Sequence, residues 1–176
     1  MKAKIEWFWI LKITIMTFVI SFLFSMASEA VIPKVNILIS IILILIFILI
    51  GVIFDMVGVA ATASSTKSFH SMSARKIKEA RVAINIINKS EKVSSFCNDV
   101  LGDICGIISG SGGAALSLMI YKTYDLDPLL ITLTITAIIA ALTVCGKAIC
   151  KTFAVNQSEK IVLISAKVLS FLNIKI

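Results

Sequence analysis

The chain has 176 residues, 59% of them hydrophobic, with a mean hydropathy of +1.03 and a formal net charge of +7. That composition is too apolar for a soluble domain and leaves no room for a sizeable aqueous one, whereas several membrane helices and little else account for it. No aromatic-interleaved basic motif accompanies the charge, so it reads as membrane topology and contact with anionic lipid headgroups, and nucleic-acid binding is set aside. The expected fold class is an all-α integral membrane protein with about four transmembrane helices and amphipathic cytoplasmic helices.

The first expected span runs from Phe8 to Ala27. Lys2 and Lys4 ahead of it, and the small residues Ala27-Ser28-Glu29-Ala30 behind it, also fit a cleaved signal peptide. The apolar stretch is long for that role and is broken by Lys12, so the reading taken is a retained helix with Trp7 and Trp9 in an interfacial belt. The second span, Val35 to Thr62, contains 20 uncharged residues between Lys34 and Asp55. After it comes a basic segment, residues 63–92, holding Lys67, Arg75, Lys76, Lys78, Arg81, Lys89 and Lys92. Within it, Ser73 to Lys89 spaces Ile77, Ala80, Ile84 and Ile87 as one face of a helix, turning Lys78, Asn85 and Lys89 away, so an amphipathic helix is expected on the membrane surface or a partner.

The third span, Ser94 to Tyr121, includes 18 uncharged residues between Asp103 and Lys122. Tyr121 and Tyr124 mark the outer interface, a short mixed turn follows, and the fourth span runs from Pro128 to Cys150. Each span is near the ~20 residues that a bilayer core requires. The tail, Gln157 to Leu172, has a broad apolar face with Lys160 and Lys167 one heptad apart, and Lys151 and Lys175 add to its charge. Positive-inside bias then places both termini and the 63–92 loop in the cytoplasm of a multi-pass cell-membrane protein, with membrane lipids as partners and no nucleic acid.

Two carboxylates stand out. Asp55 and Asp103 lie in apolar, glycine-containing spans, where a charge costs roughly 2.5 to 3.5 kcal/mol on insertion scales and should face protein, water or a cation rather than lipid. At 1.5 Å per residue, each sits roughly 10 to 14 Å from the inner boundary of its helix, a depth at which they could meet. Asp99 lies one turn below Asp103 on the same side. Gly51, Asp55, Gly58 and Thr62 share a face of the second span, as Thr132, Thr136, Thr143 and Lys147 do on the fourth. Gly102, Gly106 and Gly110 form a ridge, widened by Ser109, Ser111, Gly112 and Gly113, that lets helix backbones approach closely. Packing is the ordinary reading of such a ridge, though close approach also exposes carbonyl oxygens to a cation. Cys97, Cys105, Cys145 and Cys150 lack the spacing of a zinc or redox site and are expected to be small apolar packers. His70 is the only histidine, so no enzyme activity and no organic cofactor are expected.

Three stretches resemble a known family. Gly146-Lys147-Ala148-Ile149-Cys150-Lys151-Thr152-Phe153-Ala154-Val155-Asn156-Gln157-Ser158-Glu159-Lys160-Ile161 resembles the end of the last transmembrane helix in the cyclin M/CorB/CorC family of magnesium transporters. Phe54-Asp55-Met56-Val57-Gly58-Val59-Ala60 is similar to that family's Phe-Ser-x-x-Glu-x-Ala segment, and Leu101-Gly102-Asp103 to its Leu-Gly-Asn. The likeness covers about Ile37 to Leu172, dividing the chain into an additional N-terminal helix with a short external turn at 1–34 and a transporter-like domain at 35–176.

The resemblance implies a homodimer that moves a divalent cation, magnesium favoured, by alternating access, and leaves open a separate soluble regulatory subunit in place of the family's soluble domains. Its departures fall on the chemistry: Asp55 and Asp103 stand where the family has serine and asparagine, Gly58 and Lys147 where it has glutamates, and Cys150 where it has proline. In one account Asp55 and Asp103, with Asp99, Thr62, Ser109, backbone carbonyls and water, supply the roughly six oxygen ligands magnesium prefers. In the other, Lys147 reaches the carboxylates and the chain is an ion-paired, noncatalytic membrane scaffold or ion sensor.

Overall fold

The computed structural model describes residues 7–74, 77–124 and 127–171. Lys2, Lys4, Arg75, Lys76 and Lys175, which enter the topology reading, and Leu172 at the end of the expected tail lie outside them. Every regular element among the described residues is helical. Eight α-helices follow in order: α1 (Trp7–Val31), α2 (Ile37–Ala63), α3 (Lys67–Ala74), α4 (Lys78–Asn88), α5 (Ser90–Ser94), α6 (Asp103–Tyr124), α7 (Pro128–Asn156) and α8 (Ser158–Phe171). A 3₁₀ turn, Ile32–Lys34, joins α1 to α2, and a π-helical segment, Ser95–Gly102, joins α5 to α6.

Four stretches are long and apolar enough to cross a membrane: Trp7–Val31, Ile37–Ala63, Ser90–Tyr124 and Pro128–Asn156. They match the four expected spans, with the last running six residues beyond Cys150. Local chemistry sets their ends. Proline lacks the N–H that would continue a helix, which suits Pro33 to the 3₁₀ turn. Asn36 then accepts the Leu38 N–H at its side-chain oxygen (3.4 Å), an N-cap for α2. Asp127 does the same for the Leu129 N–H (2.9 Å), with Pro128 in the first helical position of α7. The isoleucine-rich sequence of α2 is a mediocre helix former in water. In an apolar environment, where each backbone group must find its partner within the segment, it has little alternative.

The helices form two compact units. The first comprises residues 7–48 and 103–142, and α1 packs along α6 in it. A Cβ on Gly112 would meet the Ile32 and Ile44 side chains, and one on Gly113 would meet Ile139 and Ile135. Ser40 donates to the carbonyls of Ile32 (3.3 Å) and Asn36 (3.2 Å), tying the 3₁₀ turn to α2. Thr132 donates to Ser117 (2.9 Å), a polar link between α6 and α7. The close backbone approaches are thus at Gly112 and Gly113. Within this unit, a Cβ on Gly106 or Gly110 would meet nothing within 4 Å, so the ridge expected there is open.

The second unit comprises residues 49–102 and 143–171. The single helix expected over Ser73 to Lys89 is two, with α3 packed on α4 and α4 on α8. Their shared core contains Ala60, Ala61, Phe69, Ala83, Ile86, Ala154, Ile161, Val162 and Ala166. On α4, Ala80, Ala83 and Ile86 are buried while Arg81, Asn85 and Asn88 are exposed, as is Lys89 at its C-cap. Its apolar stripe is therefore covered by the chain's own helices.

Candidate functional site

Three helical segments meet in the second unit, each pair joined by a specific contact. The C-terminal half of α2 supplies Asp55 and, one turn on, Gly58. The π-helical segment supplies Asn98 and Gly102, and the C-terminal half of α7 supplies Gly146 and Lys147. A Cβ at Gly146 would lie 2.9 Å from a Val52 methyl, so α2 and α7 approach closely at that level. That proximity lets Lys147 Nζ reach within 3.8 Å of Asp55 Oδ1. The Lys147 side chain is 30% exposed and that of Asp55 16%. At this separation the attraction is roughly 4 kcal/mol for an effective dielectric constant of ~20, before the desolvation of both groups is subtracted. The distance exceeds the ~2.7 to 2.9 Å of a charge-assisted hydrogen bond, so the pair is held by charge and not by directed bonding.

The other two contacts depend on glycine. Lys147 Nζ lies 3.7 Å from the position a Cβ on Gly102 would occupy, which places the ammonium against bare backbone. A Cβ on Gly58 would fall on the amide oxygen of Asn98 and 2.7 Å from its Cγ, so only glycine admits the amide there. Asn98 donates from Nδ2 to Ser94 Oγ (3.2 Å), while its buried Oδ1 has no hydrogen-bond partner among the described residues. Against Gly58 it has the weak compensation of a Cα–H contact at most. π-Helical turns widen the backbone spiral by one residue and are frequent at functional sites. Here the segment carries Asn98 and Gly102, the two residues that touch α2 and α7.

The residues expected to hold a cation are distributed differently. Asp55 is paired with Lys147. Asp99, also in the second unit, is exposed and accepts a hydrogen bond from Ser95 Oγ (2.8 Å). Thr62 is exposed and its hydroxyl donates to the Val59 carbonyl (2.9 Å). Asp103 and Ser109 belong to the first unit. Asp103 is exposed at the start of α6, and the buried Ser109 donates to the Gly106 carbonyl (3.0 Å). Among the described residues, no three His, Cys, Asp or Glu side chains gather as a metal-binding group. Among the described residues no cysteine forms a disulfide, and Cys97 and Cys105 are buried while Cys145 and Cys150 are not.

Asn98 and the π-helical segment were not foreseen. The only trace of them is the polar run Ser94-Ser95 to Asn98-Asp99 inside an otherwise apolar span. Serine, asparagine and aspartate compete with the helix for backbone partners.

No family model, no curated protein and no solved structure matches the chain. The likeness to the cyclin M/CorB/CorC transporters therefore stands on the quoted sequence stretches alone.

Proposed function

We propose that the chain is a multi-pass membrane protein whose polar core is closed by its own lysine, and that it serves as a noncatalytic membrane scaffold or ion sensor. The observation that carries this reading is the Asp55–Lys147 pair. An intramembrane carboxylate needs a countercharge, and a lysine of the same unit provides it. Such a pair gives up much of its attraction to desolvation, so its value lies in fixing which helix faces meet. The proposal includes insertion in the cell membrane with both termini and the 63–92 loop cytoplasmic, a divergent cyclin M/CorC-like transmembrane fold, self-association as a dimer, and a possible separate soluble subunit.

A second reading, magnesium transport by alternating access, is favoured by a different observation. Asp99 is an exposed acid within a π-helical interruption of a membrane-length helix. Irregular backbone at membrane depth is tolerated where it lines a cavity. On this reading Lys147 swings away when the path opens.

Magnesium flux into vesicles containing only the purified chain separates the two. The scaffold reading expects no flux above that of empty vesicles, and a loss of stability in Asp55→Asn that a second change, Lys147→Met, partly restores. Flux that Asp55→Asn abolishes while the fold stays intact would overturn it in favour of the carrier.

A further inference from the structure

The packed helices α3, α4 and α8 of the second unit present opposite chemistry on their outer faces. Among the described residues, α3 and α4 expose no large apolar side chain; Lys67, Ser68, His70, Arg81, Asn85 and Asn88 are exposed on them, with Lys89 exposed at the C-cap of α4. On α8, Ser158, Ile161, Val162 and Ala166 are buried toward the core, but Ile164, Val168 and Phe171 on the far side are 63%, 53% and 89% exposed. Lys160 and Lys167 share that outer face, and the spacing 160, 164, 167, 168, 171 makes it one continuous helical stripe. The one acid of α8, Glu159, accepts a hydrogen bond from Ser68 of α3 and is so drawn off the stripe.

We propose that this stripe contacts an anionic lipid leaflet, with Ile164, Val168 and Phe171 in the headgroup–acyl boundary and Lys160 and Lys167 on lipid phosphates, while α3 and α4 face water. The inference rests on the reading of the chain as a membrane protein. Continuity argues for lipid over a protein partner. Only Gln157 separates α7 from α8: its N–H donates to the Phe153 carbonyl (2.9 Å) at the end of α7, and its carbonyl accepts from the Ile161 N–H (3.1 Å) at the start of α8. The apolar residues exposed on the last turns of α7, Ile149 and Phe153, are thus followed within a few residues by the stripe that begins at Lys160 and Ile164, so it starts where a membrane-length helix ends. Apolar residues interleaved with lysine, whose stems can lie along apolar surface with their ammonium groups at the phosphates, suit an interface helix. Anionic leaflets attract such basic segments.

The test uses the full chain in vesicles of phosphatidylcholine with phosphatidylglycerol, its four native cysteines replaced by alanine and one fluorescent label placed by Ile164→Cys, Val168→Cys, Asn85→Cys or Ile46→Cys. Labels at 164 and 168 should be quenched by brominated lipid and shielded from aqueous iodide, as at 46 in α2, with the reverse at 85 in α4. Iodide quenching at 164 and 168 with position 46 still in lipid overturns the α8 proposal alone, as does shielding from both quenchers, which means a protein covers the stripe. Iodide quenching at all four positions removes the membrane reading itself. With the native cysteines in place, melting temperature should be higher in vesicles containing phosphatidylglycerol than in phosphatidylcholine alone. That difference should shrink by more than half in Lys160→Gln/Lys167→Gln and persist in Arg81→Gln/Lys89→Gln. An equal response of the two double variants also overturns the proposal.

Discussion

Both units bring helices close by removing a side chain, but they fill the vacated space with different chemistry. In the first unit the groups that enter are methyl and methylene ends: Ile32 and Ile44 at Gly112, Ile139 and Ile135 at Gly113. In the second unit a planar amide lies on Gly58 and an ammonium on Gly102, the latter paired with Asp55. An isoleucine terminus can rotate or shift when crowded. An amide anchored to Ser94 or a lysine held by a carboxylate has an electrostatic reason to stay. Glycines of one sequence type thus serve a forgiving apolar fit in one place and a polar locus in another.

The largest expected effect breaks the polar side of this comparison. Lys147→Met or Asp55→Asn alone should destabilise the protein by about 2 to 4 kcal/mol in detergent or nanodisc unfolding, because one charge is stranded near apolar surroundings. The 30% exposure of Lys147 keeps the figure below that of a fully buried pair. The double variant should recover at least about half of the loss, which a double-mutant cycle measures directly. Additive single losses would dissolve the pair as an energetic unit.

Next comes Gly58→Ala, expected to cost about 2 kcal/mol because the added methyl displaces Asn98 and breaks its bond to Ser94. Combining it with Asn98→Ala should restore most of the stability. If the double variant is no better than Gly58→Ala, the amide is not what the glycine accommodates.

Smaller losses, about 1 kcal/mol or less, are expected for Gly112→Ala and Gly113→Ala, where flexible isoleucine ends give way and the helix gains from alanine. Thermal melts that put them at or beyond Gly58→Ala would erase the distinction between the two units. Smallest is Gly106→Ala or Gly110→Ala, which meets open space in its unit and should leave stability unchanged or raise it by up to about 1 kcal/mol. Should either variant lower the fraction of dimer in cross-linking while the monomer keeps its stability, a second copy packs on that face.

Hydropathy and punctuation determined much by themselves. The four membrane-length helices, the break at Pro33 and the start of α7 at Asp127-Pro128 are local events, and local events are written locally: run length, a missing N–H, a capping oxygen. The presence of charge at Asp55 and Lys147 was legible for the same reason, and so were both of its possible uses, with Lys147→Asp55 pairing one of the two accounts the residues left open. The tertiary structure decided which unit holds each acid, that Lys147 meets Asp55, that Gly112 and Gly113 and not Gly106 and Gly110 take the close intrachain contacts, and that Asn98 sits on Gly58. Glycine spacing reports where a backbone is bare but not what arrives there, because the arriving group comes from a helix tens of residues away whose rotation no local pattern fixes. The π-helical turn adds one residue to a span and rotates everything around it, which is why Asn98 was invisible until the helices were packed.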